Sequence, residues 1–536
     1  MDTRATGAAA SAAVPEPAGV LLLPSDHYTY TQSGRRIFGV LAKTETLFVR
    51  GGRVVERIET THGPELSVLR PAALQSRLDR DDGLVMGHVI IDGNVCLKPK
   101  RCPRQTAEVL LESRGARELL PPIVCLAPAP VLIDTGDEPR LLGPGYHRDG
   151  GGILVTGGET PPSVPVEQAA ADLGNLLRDF DFQTAADRSR ALAMLLTPAL
   201  KLGGFLTGPT PIDVAEADQS QSGKTYRQTI TRAIYREPGY VVTRREGGVG
   251  SLDESIGAAL LSGRTFVVTD NLRGPLNSQF LEAIITSPDS VAVRVPHRGE
   301  VMVDARRVSF SITSNGVETT RDLANRSCLV RIRKRSRRYD WYPWPERSLH
   351  EHVQANQAHY LGCIHAIIRH WVAAGRPKTP ESEHDMREWA GVLDWIIQHV
   401  FGAAPLLEGH RRAQERVSSP ALVWLRAVCL AAEQDGQLGI GLTAAELWRL
   451  SQDHGVDPPN GKLDMDDVAA HQYVGRLLGN IYRGTEVNNH IALSALSYCR
   501  GLNDYQSRGS ERLRIVTLNA MRRHDIALFR RRYVDT

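Results

Sequence analysis

The residues best suited to chemistry begin with Gly223-Lys224-Thr225, inside the stretch ADQSQSGKTY (Ala217 to Tyr226). A glycine, a lysine and a hydroxyl residue opening a helix form a phosphate cradle. Backbone N–H groups and the helix N-terminus face the phosphates. Lys224 is placed to reach the β and γ oxygens, and the Thr225 hydroxyl to bind Mg²⁺. Gln219, Ser220, Gln221, Ser222 and Tyr226 complete the nucleotide-binding loop. Its first half departs from the GxxxxGK[ST] pattern, because Asp218 holds the opening glycine position. Three more polar residues follow in order. Asp270 ends the apolar FVVTDN, where a carboxylate at the tip of a neighbouring parallel strand would sit beside a Thr225-bound metal. Asn315 ends VSFSITSN, and its amide is suited to orienting an attacking water. Arg326, in RDLANRSCLVRIRK, closes a short helix, from which an arginine reaches a neighbouring subunit's γ-phosphate. Singly, each has an ordinary structural reading, such as a strand-end carboxylate or a surface ion pair. In this order they predict a site that hydrolyses ATP with Mg²⁺.

These residues need a scaffold, and the hydrophobic pattern supplies one. Helical segments at 164–180 and 185–203 lead to an apolar strand near Ile212 to Ala215. The loop, a helix through Tyr235 and the strand YVVTRR follow, then LDESIGAALLSG as helix and TFVVTD as strand. After the helix SQFLEAIITS comes the strand ending at Asn315. Such alternation builds a parallel sheet with helices on both faces, an α/β fold. Between Asp270 and Asn315, VAVRVPHRGEVMVDARR alternates apolar and polar residues around Pro296-His297-Arg298-Gly299. That is a hairpin with a basic tip.

The order GKT, strand-DN, strand-TSN and RDLxxR resembles an AAA+ ATPase. It is most similar to superfamily 3-type helicases and to the ATPase half of phage and mobile-element primase–helicases. The resemblance covers residues 165–345 well and extends more loosely to the end. It implies a P-loop core with a helical lid, and a ring, usually a hexamer, with ATP between subunits. By position, Lys224 and Thr225 become the Walker A pair, Asp270 the Walker B metal carboxylate, Asn315 the first sensor and Arg326 the arginine finger. Superfamily 3 helicases grip DNA with a hairpin before the first sensor, and Arg294, His297 and Arg298 match that place. Basic side chains there bind single strands with little sequence preference. One departure stands out: Asn271 follows Asp270, where many AAA+ proteins carry a catalytic Glu, and an amide is no general base. Glu246 and Glu254 are the candidate carboxylates. No paired-carboxylate polymerase motif precedes the ATPase.

The chain has 536 residues, enough for two to four domains, with 42% hydrophobic and 23% charged residues, as in soluble globular proteins. A net charge of +3 announces no global field, but RIRKRSRR (Arg331 to Arg338) and the C-terminal arginines suit an anionic polymer. Seven scattered cysteines show no paired zinc spacing and fit a reducing, cytoplasmic setting. No apolar run reaches a membrane span. The expected organisation is a disordered tail (1–20), a mixed α+β accessory domain (21–155), the AAA+ core (164–345), a helical lid or linker (346–412) and a winged-helix-like module (418–536). LFVRGGRVVERI reads as a hairpin turning at Gly51-Gly52. In the last module a third helix carries Arg476 and leads to Arg483, for duplex DNA or for protein contacts. The aromatic YDWYPWPE reads as a linker packed on the ATPase or as a base-stacking strip. A DNA-assembled switch that does not unwind, and a nucleotide-binding module with little turnover, stay open beside the helicase reading.

Overall fold

The computed structural model describes residues 20–477 except 27, 81–83, 92–93, 218–220, 243–250, 273–275, 277, 288, 296–298, 315–318, 381–383 and parts of 419–475, together with 507–508, 511–512 and 516–517. The alternating segment gives α1 (Val166–Leu176), β1 (Asp181–Phe182), α2 (Ala185–Leu202), β2 (Ile212–Glu216), α3 (Lys224–Ile234), β3 (Tyr240–Val242) and α4 (Leu252–Leu261). Then come β4 (Phe266–Leu272), α5 (Gln279–Thr286), the hairpin strands β5 (Ser290–Val295) and β6 (Gly299–Asp304), β7 (Ser309–Ser314), α6 (Arg321–Asn325) and β8 (Ser327–Arg333).

The strands, except for the hairpin, form one sheet in the order β1-β8-β2-β7-β4-β3. All neighbours from β8 to β3 run parallel, and β1 joins the edge antiparallel. This is the expected α/β core, compatible with a phosphate-loop site at the C-terminal strand ends. β2 is buried along its whole length, as expected of a strand covered on both faces. One expectation changes. The strand of Asp270 does not lie beside the strand that feeds the loop, because β7 runs between them. Ser311 of β7 is in register with Asp213 of β2 on one side and Val268 of β4 on the other.

Ser and Thr hydroxyls cap several of the described helices. Thr184, Ser251, Ser278 and Thr320 each accept a first-turn N–H, and losing such a cap costs about 1 kcal/mol. Four more helices follow the sheet: α7 (Leu349–Ala355), α8 (Gln357–Ala373), α9 (Arg387–His399) and α10 (His410–Ser418). They share one apolar core with it, including Ile364, Trp371, Trp389 and Ile396. Arg190 of α2 ties these layers together. It pairs with Asp187 at 2.7 Å and donates to the carbonyls of Leu329 (2.7 Å), Leu406 (3.0 Å) and Glu408 (3.1 Å).

Near the N-terminus, Leu47–Arg50 and Arg53–Thr60 form the expected hairpin. Gly51 (φ 53°) and Gly52 (φ 78°) supply the two left-handed positions that a tight two-residue turn requires. This region has its own core around Ile37, Phe38, Leu47 and Leu74. Arg264, just before β4, anchors it to the sheet. Its guanidinium bonds Glu65 (3.0 Å), Glu237 (3.2 Å) and the His62 carbonyl. Toward the C-terminus, Trp424, Leu447, Trp448 and Val474 form a separate small core. The helix Ala444–Asp453 there starts with a capping box from Thr443 and Glu446. No described helix is long and apolar enough to cross a membrane.

Candidate nucleotide and nucleic-acid site

The loop after β2 turns into α3 through two left-handed residues, Gln221 (φ 62°) and Gly223 (φ 93°). A Cβ on Gly223 would lie 3.3 Å from the Phe180 ring, so glycine suits both the dihedral and the space. Gly223 is the N-cap of α3, and it provides no side-chain cap. Several other helices also start without a side-chain cap, but here the first-turn amides meet a loop entered through two left-handed residues. The buried Ser222 hydroxyl, also in the loop, has no hydrogen-bond partner. A helix opened by a left-handed glycine beside an unpartnered buried hydroxyl is compatible with a phosphate cradle. Asp218, Gln219 and Ser220 lie outside the described residues.

Lys224 is the first residue of α3 and is buried. Burial pushes its ammonium below the ordinary lysine range, while Asp270 pulls it back up. The Thr225 hydroxyl donates to Asp270 Oδ1 at 2.9 Å. The structure thus brings Lys224, Thr225 and Asp270 together at the C-terminal ends of the strands, although β2 and β4 are not adjacent. A hydroxyl and a carboxylate in contact, beside a lysine, fit the donor set that Mg²⁺ and a triphosphate require.

Thr313 bridges that gap, and the sequence reading passed it over. From β7 its hydroxyl donates to Asp270 Oδ1 at 2.5 Å and accepts the Asn271 N–H at 2.7 Å. Here β4 bulges. Register shifts between Thr269 and Leu272, and Asn271 adopts φ 50°. Asparagine tolerates that conformation well. The bulge turns Asp270 and Asn271 to the surface between buried neighbours. Asn271 therefore shapes the strand tip. A signal for Thr313 was present: Ser309, Ser311 and Thr313 alternate with the apolar Phe310 and Ile312 along the strand.

The remaining candidates are placed as follows. Arg326 caps the C-terminus of α6, and its carbonyl accepts the Ile212 N–H at 2.9 Å. Ile212 starts β2, and β2 runs its length, roughly 13 Å at 3.3 Å per residue, before reaching the loop. Arg326 thus sits at the opposite end of β2 from Lys224. Glu254 lies exposed in the first turn of α4. Glu246 and Asn315 lie outside the described residues. Glu216 adds a carboxylate at the tip of β2, with Oε2 3.8 Å from Arg331 Nε.

Tyr226, half-exposed beside the loop, faces Phe180 at 6.3 Å between ring centroids, and its hydroxyl accepts the His350 N–H at 3.0 Å. The aromatic linker packs nearby on the sheet domain. Arg178 lies over the Tyr342 ring and Arg335 over the Tyr339 ring, and Tyr339 donates to Asp179 at 3.1 Å.

The hairpin between Asp270 and Asn315 is present. β5 and β6 pair from Ser290↔Asp304 to Val295↔Gly299, and Gly299 has φ 81°. Val291, Val293, Val301 and Val303 are buried in the core. Arg294 is exposed on the opposite face. The tip residues His297 and Arg298 lie outside the described residues, as does Arg483. Arg476 is exposed on a helical stretch of the C-terminal core.

No family model matches the chain, and no curated protein matches it. Among solved structures it is similar to the apo C-terminal region of NrS-1, with 10% identity, 90% of this chain and 99% of that one covered, and a TM-score of 0.35. It is also similar to the SCCmec type IV Cch active helicase, with 10% identity, 88% and 97% covered, and a TM-score of 0.34. Similarity to the JCV helicase covers 47% of this chain and 64% of that one, at 14% identity and a TM-score of 0.22.

Proposed function

We propose that this chain is an ATP-hydrolysing, DNA-binding motor that acts as a ring, a helicase or translocase of a phage-like or mobile-element replication system. The observation that carries the reading is the contact of Thr225 with Asp270, 2.9 Å apart, under the uncapped start of α3. Lys224 would hold the β and γ oxygens, and the α3 amides and Ser222 the remaining phosphate oxygens. Mg²⁺, when bound by Thr225 and Asp270, would neutralise charge on the phosphates. Thr313 keeps Asp270 aimed at the cradle. Asn315 would orient water, with Glu254 or Glu246 as base. Arg326 lies at the other end of β2 from its own loop, so it would complete the site of the next subunit in a hexamer.

In this reading residues 21–155 form an accessory domain, 164–345 the AAA+ core, 346–412 its helical lid and 418–536 a winged-helix-like module. Arg294, His297 and Arg298 would grip single-stranded DNA in the channel, and Arg476 and Arg483 duplex DNA outside it. The test measures ATP turnover with and without single-stranded DNA. Stimulation that disappears in the His297→Ala, Arg298→Ala double variant supports the motor. Equal turnover with and without DNA in the wild-type protein contradicts it.

Asn271 favours a second reading. With an amide where a base is common, hydrolysis would be slow, and the ring would serve as a DNA-assembled switch. Such a switch turns over ATP without displacing a paired strand. A third reading, a binding module with little turnover, would bind nucleotide and show no hydrolysis.

A further inference from the structure

Helix α8 carries His359 and Cys363 one turn apart, so both side chains lie on one face. That face packs on α1, where Asp172 meets them. His359 Nε2 lies 2.9 Å from Asp172 Oδ2 and 3.6 Å from Cys363 Sγ. The three ligand atoms all fall within 4.8 Å of one another. One ring nitrogen thus faces both a carboxylate and a thiol, although it carries at most one proton to share between them.

The spacing is that of a coordination polyhedron. A tetrahedral zinc-class ion, with bonds of about 2.3 Å to sulfur and about 2.0 Å to nitrogen and oxygen, holds S and N roughly 3.6 Å apart and N and O roughly 3.3 Å apart. The S–N edge already has that length, and the N–O edge needs to open by a few tenths of an ångström. The donors also balance charge: a carboxylate, a thiolate and a neutral imidazole neutralise a divalent cation. Mixed S, N and O ligation selects borderline metals over Mg²⁺ or Ca²⁺. Cys363 is fully buried, whereas His359 and Asp172 keep about a third of their side chains exposed. His359 lines a cleft of about 790 Å³ between α3, α7 and α8, shared with Arg232, Arg236 and Gln354.

We propose that Asp172, His359 and Cys363 form a binding site for a zinc-class divalent cation, with the fourth position open to this cleft. Binding releases the Cys363 thiol proton to solvent and breaks the Asp172–His359 hydrogen bond, the ring proton moving from Nε2 to Nδ1 so that the neutral imidazole binds through Nε2. The ion would clamp α1 to α8 behind the helix that begins at the phosphate loop.

The test uses the full chain, stripped of metal with a chelator and titrated with Co²⁺ alone. The expected result is a near-ultraviolet thiolate-to-cobalt band with intense visible bands of tetrahedral cobalt. These saturate at a single ion per chain and are displaced by Zn²⁺. Cys363→Ser should lose the near-ultraviolet band. His359→Gln should weaken binding by more than the roughly 10–100-fold typical of losing an outer-shell partner. Zn²⁺ should also raise the melting temperature of the wild-type protein and leave that of His359→Gln unchanged, which keeps the test decisive if Cys363→Ser folds poorly. The proposal is overturned if wild-type protein shows no thiolate band, or if the band and the Zn²⁺ shift persist in His359→Gln.

Discussion

The Asp270 carboxylate accepts hydrogen bonds from Thr225 and Thr313 through the same Oδ1. Thr313 also holds the Asn271 amide, so one hydroxyl fixes both the carboxylate and the bulge that presents it. Thr313→Val keeps the shape and removes the hydroxyl. We expect about 1–3 kcal/mol of lost stability. ATP turnover should fall at least tenfold while nucleotide binding persists, as equilibrium binding and kcat measured side by side would show. Unchanged kcat would remove Thr313 from the site. Lys224, Thr225 and Asp270 were legible in the sequence because their types and order carry the chemistry. Thr313 was not, because its role depends on a neighbour across the sheet. Asn271 reads as a missing base, and only the backbone shows that it also forms the left-handed corner of a bulge.

At the level of elements, the alternation of strands and helices was legible, and so was the hairpin, since both follow from local periodicity. The insertion of β7 between β2 and β4 was not, because strand order is set by long-range register. The same holds for Arg190 and Asp187. At i, i+3 on a helix they read as a surface pair, yet both are buried and bind three layers. Arg190→Ala leaves Asp187 buried without its cation and should cost about 3–5 kcal/mol, measured by denaturant unfolding. A loss under 1 kcal/mol would contradict the tie.

Three buried histidines predict an acid response of the helical layer. Burial lowers His365 to about 3 and His384 to about 4, and pushes His410 well below its ordinary value. His410 Nε2 accepts the Leu329 N–H at 3.2 Å, which requires the neutral ring. Because the folded values are depressed, the unfolded chain takes up these protons first. The stability they confer is complete above the ordinary histidine value of about 6.5 and is lost as pH falls from there toward 4 and 3. Each histidine contributes a slope of about 1.4 kcal/mol per pH unit. Melting curves should fall steadily from pH 6.5 to 4.5, with a shallower fall in His365→Leu. A flat profile would contradict neutral burial.

For the whole molecule, Arg326 and Lys224 lie at opposite ends of β2, so in the proposed reading the arginine serves the nucleotide of the next subunit. Arg326→Ala should bind ATP and turn it over at least a hundredfold more slowly than wild type. Mixed with Lys224→Ala subunits, it should regain part of the lost activity, because some interfaces then combine an intact loop with an intact arginine. Mixtures no more active than the average of the two variants would mean that the site is not shared. The anchoring of the N-terminal region through Arg264, Glu65 and Glu237 joins residues far apart in sequence.

The central claim is that the loop at Gly223 is a working ATPase site, and it is tested most directly by Mg²⁺-dependent ATP turnover of the full chain beside Lys224→Ala. The account predicts turnover by the wild-type protein and a loss of at least a hundredfold in Lys224→Ala, with the fold intact by circular dichroism. Equal turnover in both proteins, or none in the wild type with ATP and DNA present, would contradict it.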